Sequence, residues 1–250
     1  MADNILFYAI SGVAFGCILF FKGFKWYMLK KTVEDTPTSK IRSLAMGFVE
    51  VFGKVVPYKI LISPFSGAKC VYFRYWIDEW RKTGKNSYGW VTVKQGSEDN
   101  LFYIKDDTGK VLINPKGAEI DIPIDFTRES GMGNDPSDLM KKFLKSQGVG
   151  FEGLFGINKK MRYREAYLAP NDSVYVMGFA GDNPFVEDGS ASSNEADIMI
   201  QNGKGFFYIS DQPEKKLLSA LRWKSYGSIV GGGALILFGL FFIFLEFGIL

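Results

Sequence analysis

The chain has 250 residues, a net charge of +3, no histidine and two cysteines, Cys17 and Cys70. The lack of histidine excludes Ser-His-Asp and Cys-His nucleophilic sites, and two cysteines cannot supply the four Cys/His ligands of a zinc site. The composition does not exclude a magnesium or calcium site made of Asp and Glu, although EF-hand and Walker patterns are absent. We expect no catalytic residue, no metal, no cofactor and no nucleic-acid partner.

The first predicted element is a transmembrane helix over residues 5–29. Residues 5–21 contain no charge. The length of this segment is at the short end for a helix that spans a hydrocarbon core of about 30 Å. Trp26 and Tyr27 then suit the headgroup level. A secretory signal peptide is the alternative, but the segment before the apolar run has Asp3 and no cation, and no small-x-small cleavage pattern follows. We therefore expect an uncleaved helix.

Residues 32–220 are predicted to form a β-rich α+β domain. Runs of aromatic and β-branched residues predict its strands, and Val71, Phe73, Tyr75 and Ile77 alternate with more polar neighbours as in a half-buried strand. Asp107 to Gly109 is a hairpin turn signal, and the segment around it suggests a barrel with OB-like elements. The predicted strand regions are 44–56, 70–80, 88–93, 101–114, 162–170, 173–181 and 205–210.

A helix is predicted at 136–147, with Asp135 as its N-cap and Pro136 at its first position. Residues 125–135 and 182–195 are rich in Gly, Ser, Asn and Asp, which is typical of mobile surface loops.

The last element is a second transmembrane helix over residues 226–250. Its one acidic residue, Glu246, is interpreted as a carboxylate at the far interface, with an intramembrane proton or ion site as the alternative. Small residues four apart allow helices to approach closely. That spacing predicts contacts between the two helices, and it occurs at Gly12 with Gly16 and at Gly227 with Gly231.

Cys70 lies between the turn-like stretch 63–67 and a predicted strand. No histidine can activate it, and Lys69 is the nearest cation in the sequence. We expect a small apolar residue at the start of a strand rather than a nucleophile.

The middle of the chain carries short motifs in a fixed order, from Ser63-Pro64 through Cys70–Arg74, Phe102–Val111 and Tyr163–Glu165 to Val174–Gly178. In this order they resemble the GIDE, or BAM ("beside a membrane"), domain. That domain occurs in membrane-bound RING-type E3 ubiquitin ligases of mitochondrial and chloroplast outer membranes and in prokaryotic relatives. The resemblance covers most of 44–210. The motif positions with an expected structural role are Ser63, Pro64, Gly67, Cys70, Asp107, Gly109, Glu165 and Gly178.

The ligases of that family carry a zinc-binding RING after the second membrane helix, and the RING performs the ubiquitin chemistry. The present sequence lacks the ligands for a RING, so we expect no ubiquitin transfer. The resemblance then implies a non-catalytic binding or scaffolding module with a protein or peptide partner. The alternatives are an oligomeric pore or transport accessory subunit, and an enzyme that uses Asp, Glu and Arg alone. The sequence does not exclude a homo-oligomer.

Arg74, Arg162, Arg164 and Glu165 lie among strand residues and could pair across neighbouring strands. A paired or solvated sheet face is the interpretation we favour.

Basic residues lie on the domain side of both predicted spans. Such a ring favours the lipid bilayer and its anionic headgroups as partner, each cation contributing about 1 kcal/mol. The positive-inside rule then predicts a two-span protein of the cell membrane with both termini outside and the central domain in the cytoplasm. These residues are Lys22, Lys25, Lys30, Lys31, Lys215, Lys216, Arg222 and Lys224.

Overall fold

The computed structural model divides into two compact units, a pair of long helices and the segment Thr38–Gln212. The helices are α1 (Ala2–Asp35), α2 (Asp138–Ser146) and α3 (Glu214–Glu246), and a short 3-10 helix spans Ile41–Ser43. The structure describes residues 2–152, 158–186, 197–203, 205–212 and 214–248, with side chains from residue 6 onward.

The described residues of the segment Thr38–Gln212 form thirteen strands. They are β1 (Gly47–Pro57), β2 (Leu61–Ile62), β3 (Lys69–Cys70), β4 (Tyr72–Lys82), β5 (Tyr88–Asp99), β6 (Phe102–Lys105), β7 (Lys110–Ile113), β8 (Glu119–Asp121), β9 (Phe126–Ser130), β10 (Met161–Leu168), β11 (Ser173–Asp182), β12 (Ile198–Gln201) and β13 (Tyr208–Ser210).

Helices α1 and α3 are long and apolar enough to cross a membrane. Their candidate spans are Leu6–Asp35 and Glu214–Glu246, with mean hydropathies of 1.7 and 2.4. At about 1.5 Å per residue, each helix exceeds a hydrocarbon core of about 30 Å. Both helices therefore extend past their apolar runs into the basic segments that flank them.

The two long helices pack antiparallel through small residues spaced seven apart. An added Cβ at Gly16 would lie 2.9 Å from the Gly232 carbonyl oxygen, so a side chain at this crossing would push the backbones apart. The prediction is confirmed for Gly16 and wrong for Gly12, Gly227 and Gly231, which have nothing within 4 Å of an added Cβ. A seven-residue repeat keeps one narrow seam in contact along both helices. The buried small residues of the seam are Ala9, Gly16 and Gly23 on α1 and Ser225, Gly232 and Gly239 on α3.

Five strands of the other unit close into a barrel. The order β1-β6-β7-β12-β11 is completed by antiparallel pairing of β11 with β1, and β12 runs parallel to β7. This is the five-stranded Greek-key arrangement of an OB fold, and it confirms the predicted β-rich class with a barrel. Strands β13 and β8 extend the sheet beyond β11. The barrel interior is filled by buried aliphatic and aromatic side chains, among them Val51, Val55, Phe102, Ile104, Val111, Val176 and Ile200.

A second layer consists of the antiparallel sheet β5-β4-β10-β9 with helix α2 against one face. Met140 and Leu144 of α2 are fully buried against Phe73 and Ile77 of β4. Val71, at the junction between β3 and β4, instead belongs to the barrel core. The alternation predicted for residues 71–77 is thus confirmed, with its apolar side chains divided between two cores.

The N-cap of α2 is Ser137 rather than the predicted Asp135. The Ser137 hydroxyl accepts a hydrogen bond from the backbone N–H of Met140 at 3.4 Å, whereas Asp135 pairs with Lys141 at 2.8 Å. Ser137 has the extended backbone that an N-cap requires, directly before the first helical residue.

The prediction of a mobile loop at residues 125–135 is wrong in part. Residues 126–130 form β9, an edge strand of polar sequence that is held by its pairing with β10. Of the predicted loop 182–195, residues 187–195 lie outside the described residues.

Candidate interaction surface

The outward face of the four-stranded sheet carries rows of tryptophans and cations. Successive side chains of a strand point to opposite faces, so the even-numbered residues of β4 lie away from α2. The strand register places Arg162 opposite Asp78 and Trp90 opposite Trp80. We call this surface the tryptophan–cation face, and its members are Arg74, Trp76, Asp78, Trp80, Trp90, Thr92, Lys160, Arg162 and Arg164.

A single buried carboxylate, that of Asp78, lies at the centre of this face. Its Oδ2 accepts hydrogen bonds from Arg162 Nε at 3.0 Å and Arg164 Nε at 2.9 Å, and its Oδ1 accepts one from the Thr92 hydroxyl at 2.8 Å. Burial acts to raise the pKa of Asp78, but the hydrogen bonds from Thr92, Arg164 and Arg162 outweigh it and hold that pKa below its ordinary value. Two guanidinium groups therefore share one ionised carboxylate.

Tryptophan rings hold the cations in place. The Cζ atom of Arg162 lies 4.6 Å from the Trp90 ring centroid, and Lys160 Nζ lies 5.1 Å from that of Trp80. The two rings contact each other edge to face at 5.3 Å. Cation–π contacts of this kind orient a cation without neutralising it. The cations of this face are partly open to solvent, with 26% of the Arg162 side chain exposed.

Arg74 lies at the end of the face in a polar hollow of about 350 Å³. Its Cζ atom is 5.9 Å from the Trp76 ring centroid, and it forms no ion pair with any carboxylate in the described part of the chain. Gln95 and Ser97 contribute neutral polar groups to the same hollow. The hollow therefore offers a cation to an incoming anionic group.

Glu165 points to the opposite side of β10. Its carboxylate is fully buried and accepts hydrogen bonds from the backbone N–H groups of Phe65 and Ser66, the latter at 2.9 Å. The predicted ion-paired sheet face is thus confirmed for Arg162 and Arg164. Glu165 instead binds the backbone of the turn that contains Phe65 and Ser66. Since Ser63, Pro64 and Gly67 belong to that turn, tertiary contacts bring these motif positions together with Glu165 and Cys70.

Cys70 is buried beneath this turn. Its Sγ lies 3.8 Å from the Leu61 carbonyl oxygen, and its side chain packs in the same cluster as Phe65 and Met140. Burial, assisted by the negative charge of Glu165, raises the pKa of the Cys70 thiol to about 12. A thiol in this environment is protonated near neutral pH, as expected for a packing residue.

The remaining motif positions lie elsewhere in the barrel. In the β6–β7 turn Asp106, not Asp107, accepts from the N–H groups of Thr108 and Gly109 at 2.7 and 2.9 Å, while the exposed Asp107 pairs with Lys40. At Gly178 an added Cβ would lie 2.6 Å from the Phe207 ring in the barrel core. The motif positions thus support turns and packing at separate places.

The cations next to the spans collect at one end of the helix pair. Because α1 and α3 run antiparallel, residues that follow the apolar run of α1 lie beside those that precede the apolar run of α3. Lys30 pairs with Glu34 at 2.6 Å. This basic end contains Lys22, Lys25, Lys30, Lys31, Lys215, Lys216, Arg222 and Lys224.

Asp125 and Asp211 are two carboxylates of the segment Thr38–Gln212 whose pKa values are raised. Burial, together with the negative charges of Asp211 and Asp172, raises the pKa of Asp125, and burial likewise raises the pKa of Asp211. Both pKa values move in the same direction, and Asp125 accepts a hydrogen bond from the Tyr167 N–H. A proton donor and an ionised partner would need pKa values that move apart. Within the described residues, no three His, Cys, Asp or Glu side chains cluster as metal ligands.

Trp90, Lys160 and the central role of Asp78 are absent from the sequence-based predictions. The alternation of residues 71–78 placed Asp78 on the face of Arg74 and Trp76. The neighbour strands of β4, which supply Trp90 and the arginine pair, follow only from the sheet register.

Comparison with known protein families gives a match. No curated protein and no solved structure matches the chain. The sequence pattern of the GIDE family, described as E3 ubiquitin ligase, matches residues 75–242. The matched region includes most of the tryptophan–cation face, the barrel strands from β6 onward and most of helix α3. Because this match covers more than half of the chain, the protein belongs to the GIDE family, as a membrane-associated member related to E3 ubiquitin ligases.

Proposed function

We propose that the protein is a non-catalytic binding module, anchored by α1 and α3, whose tryptophan–cation face docks an acidic segment of a partner protein. The observation that carries this proposal is the sharing of Asp78 by two arginines. Including Glu129, which lies opposite Arg162 on β9, the face holds four basic and two acidic side chains. Its charge is therefore complementary to carboxylates.

The residue types of the face suit protein recognition. Tryptophan and arginine dominate the energetically important residues of protein interfaces. A planar guanidinium binds a carboxylate through two parallel hydrogen bonds, and Arg74 has no carboxylate partner among the described residues. Arg74 is accordingly the anchor for the first carboxylate of the partner, and the rings of Trp76 and Trp80 supply apolar contact beside it.

The membrane setting of this proposal is the cell membrane, with the Thr38–Gln212 unit in the cytoplasm. The basic end of the helix pair favours that orientation under the positive-inside rule. The pore alternative rested on the glycine-rich spans and Glu246, and of these glycines Gly16, Gly23, Gly232 and Gly239 are used in contacts within one chain. Ion flux through liposomes that contain the purified protein would favour the pore over the binding module.

Binding of a short fluorescent polyglutamate peptide to the full chain in neutral detergent tests the proposal. We expect salt-sensitive binding that Arg74→Glu weakens about tenfold, which corresponds to about 1.4 kcal/mol. Lys116→Glu is the matched control, because Lys116 is an exposed cation in a barrel turn. Equal weakening by both substitutions, or tighter binding of a single-stranded oligonucleotide than of the peptide, would contradict an acidic protein partner.

A further inference from the structure

The basic end of the helix pair contains a groove with the chemistry of a phosphate site. Its volume is about 700 Å³, and both α1 and α3 contribute to its lining. The side chains relevant to ligand binding are Lys30, Lys215, Ser219, Arg222, Trp223 and Tyr226.

The groove lies at the depth of lipid headgroups. The uncharged run begins at Ser225 and includes Tyr226, and Arg222 lies three residues before that run, or about 4.5 Å along a helix. A headgroup layer is about 5–7 Å thick on each side of the hydrocarbon core. Arg222 is therefore level with lipid phosphates when the uncharged run spans the core. Trp223 and Tyr226 are 78% and 51% exposed, as side chains of an interfacial aromatic belt are.

The charge of the groove is unbalanced. Lys30 is paired with Glu34 at 2.6 Å, whereas Arg222 and Lys215 form no ion pair within the described residues. The groove thus has a net charge of two positive units. Arg222 carries one at the end nearer the membrane, and Lys215 carries the other farther from it. A guanidinium offers two parallel N–H groups to phosphate oxygens, and the Ser219 hydroxyl, one turn away on α3, can donate another hydrogen bond.

We propose that this groove binds the headgroup phosphate of one anionic phospholipid, with Arg222 as its principal ligand. The acyl chains continue along the apolar parts of α1 and α3. This site differs from the general attraction of the basic ring, because Lys22, Lys25, Lys31 and Lys224 do not line the groove. It is independent of the partner proposed for the tryptophan–cation face, which lies in the other unit.

Native mass spectrometry of the full chain in neutral detergent, titrated with phosphatidylglycerol or phosphatidylcholine, tests the site. We expect one retained phosphatidylglycerol, with Arg222→Gln weakening retention about tenfold through loss of the charge-assisted pair. Lys224→Gln is the matched control, since Lys224 is an exposed cation two residues away outside the groove. It should change retention less than about twofold, the size of a diffuse electrostatic contribution.

Three results would overturn the proposal. Equal weakening by Arg222→Gln and Lys224→Gln would show diffuse attraction only. Equal retention of phosphatidylcholine would show that the negative headgroup is not recognised. Complete displacement of phosphatidylglycerol by inorganic phosphate, with phosphate retained alone, would assign the groove to free phosphate. Circular dichroism spectra that match the unsubstituted chain establish that each variant is folded.

Discussion

Arg164 and Asp78 form a two-point ion pair across strands β10 and β4. The Nε–Oδ2 distance is 2.9 Å and the Nη2–Oδ1 distance is 3.2 Å. The Asp78 side chain is 1% exposed, whereas that of Arg164 is 25% exposed. The carboxylate is therefore an internal support for cations that remain accessible, and this arrangement gives the face its positive character.

Replacement of Asp78 by Asn should destabilise the protein by about 2–4 kcal/mol. Loss of one partner from a buried pair leaves uncompensated charge, which here belongs to Arg162 and Arg164, and their partial exposure places the cost toward the lower end of the usual range. Urea unfolding followed by tryptophan fluorescence measures the effect. The exposed Asp99→Asn is the control and should change stability by less than about 0.5 kcal/mol.

The contribution of Asp78 should also depend on pH in one direction. Its folded pKa lies below the unfolded value of about 3.9, so its ionisation stabilises the fold above about pH 4. That contribution is lost as the pH falls through the folded pKa. The stability difference between the unsubstituted chain and Asp78→Asn should therefore shrink in acid. A difference that grows below pH 4 would contradict the lowered pKa.

Cys70→Ala should leave binding intact and cost about 1 kcal/mol, because a small buried group is removed. A bulkier residue should cost more through overpacking. The folded thiol should resist alkylation near pH 8, since its pKa is about 12. Mass spectrometry after iodoacetamide treatment follows the modification, with an exposed Ser87→Cys as the reactive control. Modification of Cys70 as fast as the control would restore the nucleophile interpretation.

Adjacent glycines of α3 should respond oppositely to alanine. At Gly232 the new Cβ would lie 2.7 Å from the Gly16 carbonyl oxygen, so Gly232→Ala should lower the thermal unfolding midpoint. At Gly231 nothing lies within 4 Å, and alanine favours a helix by up to about 1 kcal/mol over glycine. Circular dichroism in detergent measures both midpoints. Equal effects at the two positions would rule out the close crossing of α1 and α3.

The chain of 250 residues should bind no structural zinc and transfer no ubiquitin. It has no histidine, and of its two cysteines Cys70 is buried and Cys17 lies in α1. Elemental analysis of the purified chain checks the metal content, with a RING protein purified in the same way as positive control. One tightly held zinc per monomer, or ubiquitin conjugation by this chain in a reconstituted assay, would refute the prediction.

Single cysteines introduced at Lys85 and at Asp3, in a chain without Cys17 and Cys70, should report orientation. Lys85 is exposed in the β4–β5 turn. A membrane-impermeant maleimide applied to intact cells should label the terminal position and spare Lys85→Cys until the cells are lysed. The reason is that all eight basic residues near the spans lie on the domain side. The reverse labelling pattern would place the domain outside.

The sequence by itself determined the two long helices and the alternation of β4. Uncharged runs at 5–21 and 227–245 are apolar on every side, so a helix that satisfies its own backbone hydrogen bonds is the structure they favour in a membrane. The period of two at Val71 to Ile77 fixed which side chains of β4 share a face. Both features are local, because they depend on residues close together in the chain.

Only the tertiary structure decided which strands and glycines become neighbours. Strand β1 pairs with β11 to close the barrel, and Glu165 reaches a turn 99 residues earlier at Ser66. Gly16 contacts α3, whereas Gly12 faces open space, since the helices cross with a repeat of seven rather than four. Periodicity shows which side chains point the same way, but not what covers them. Contacts between distant segments supply that information, and they created both the Asp78 centre and the groove beside Arg222.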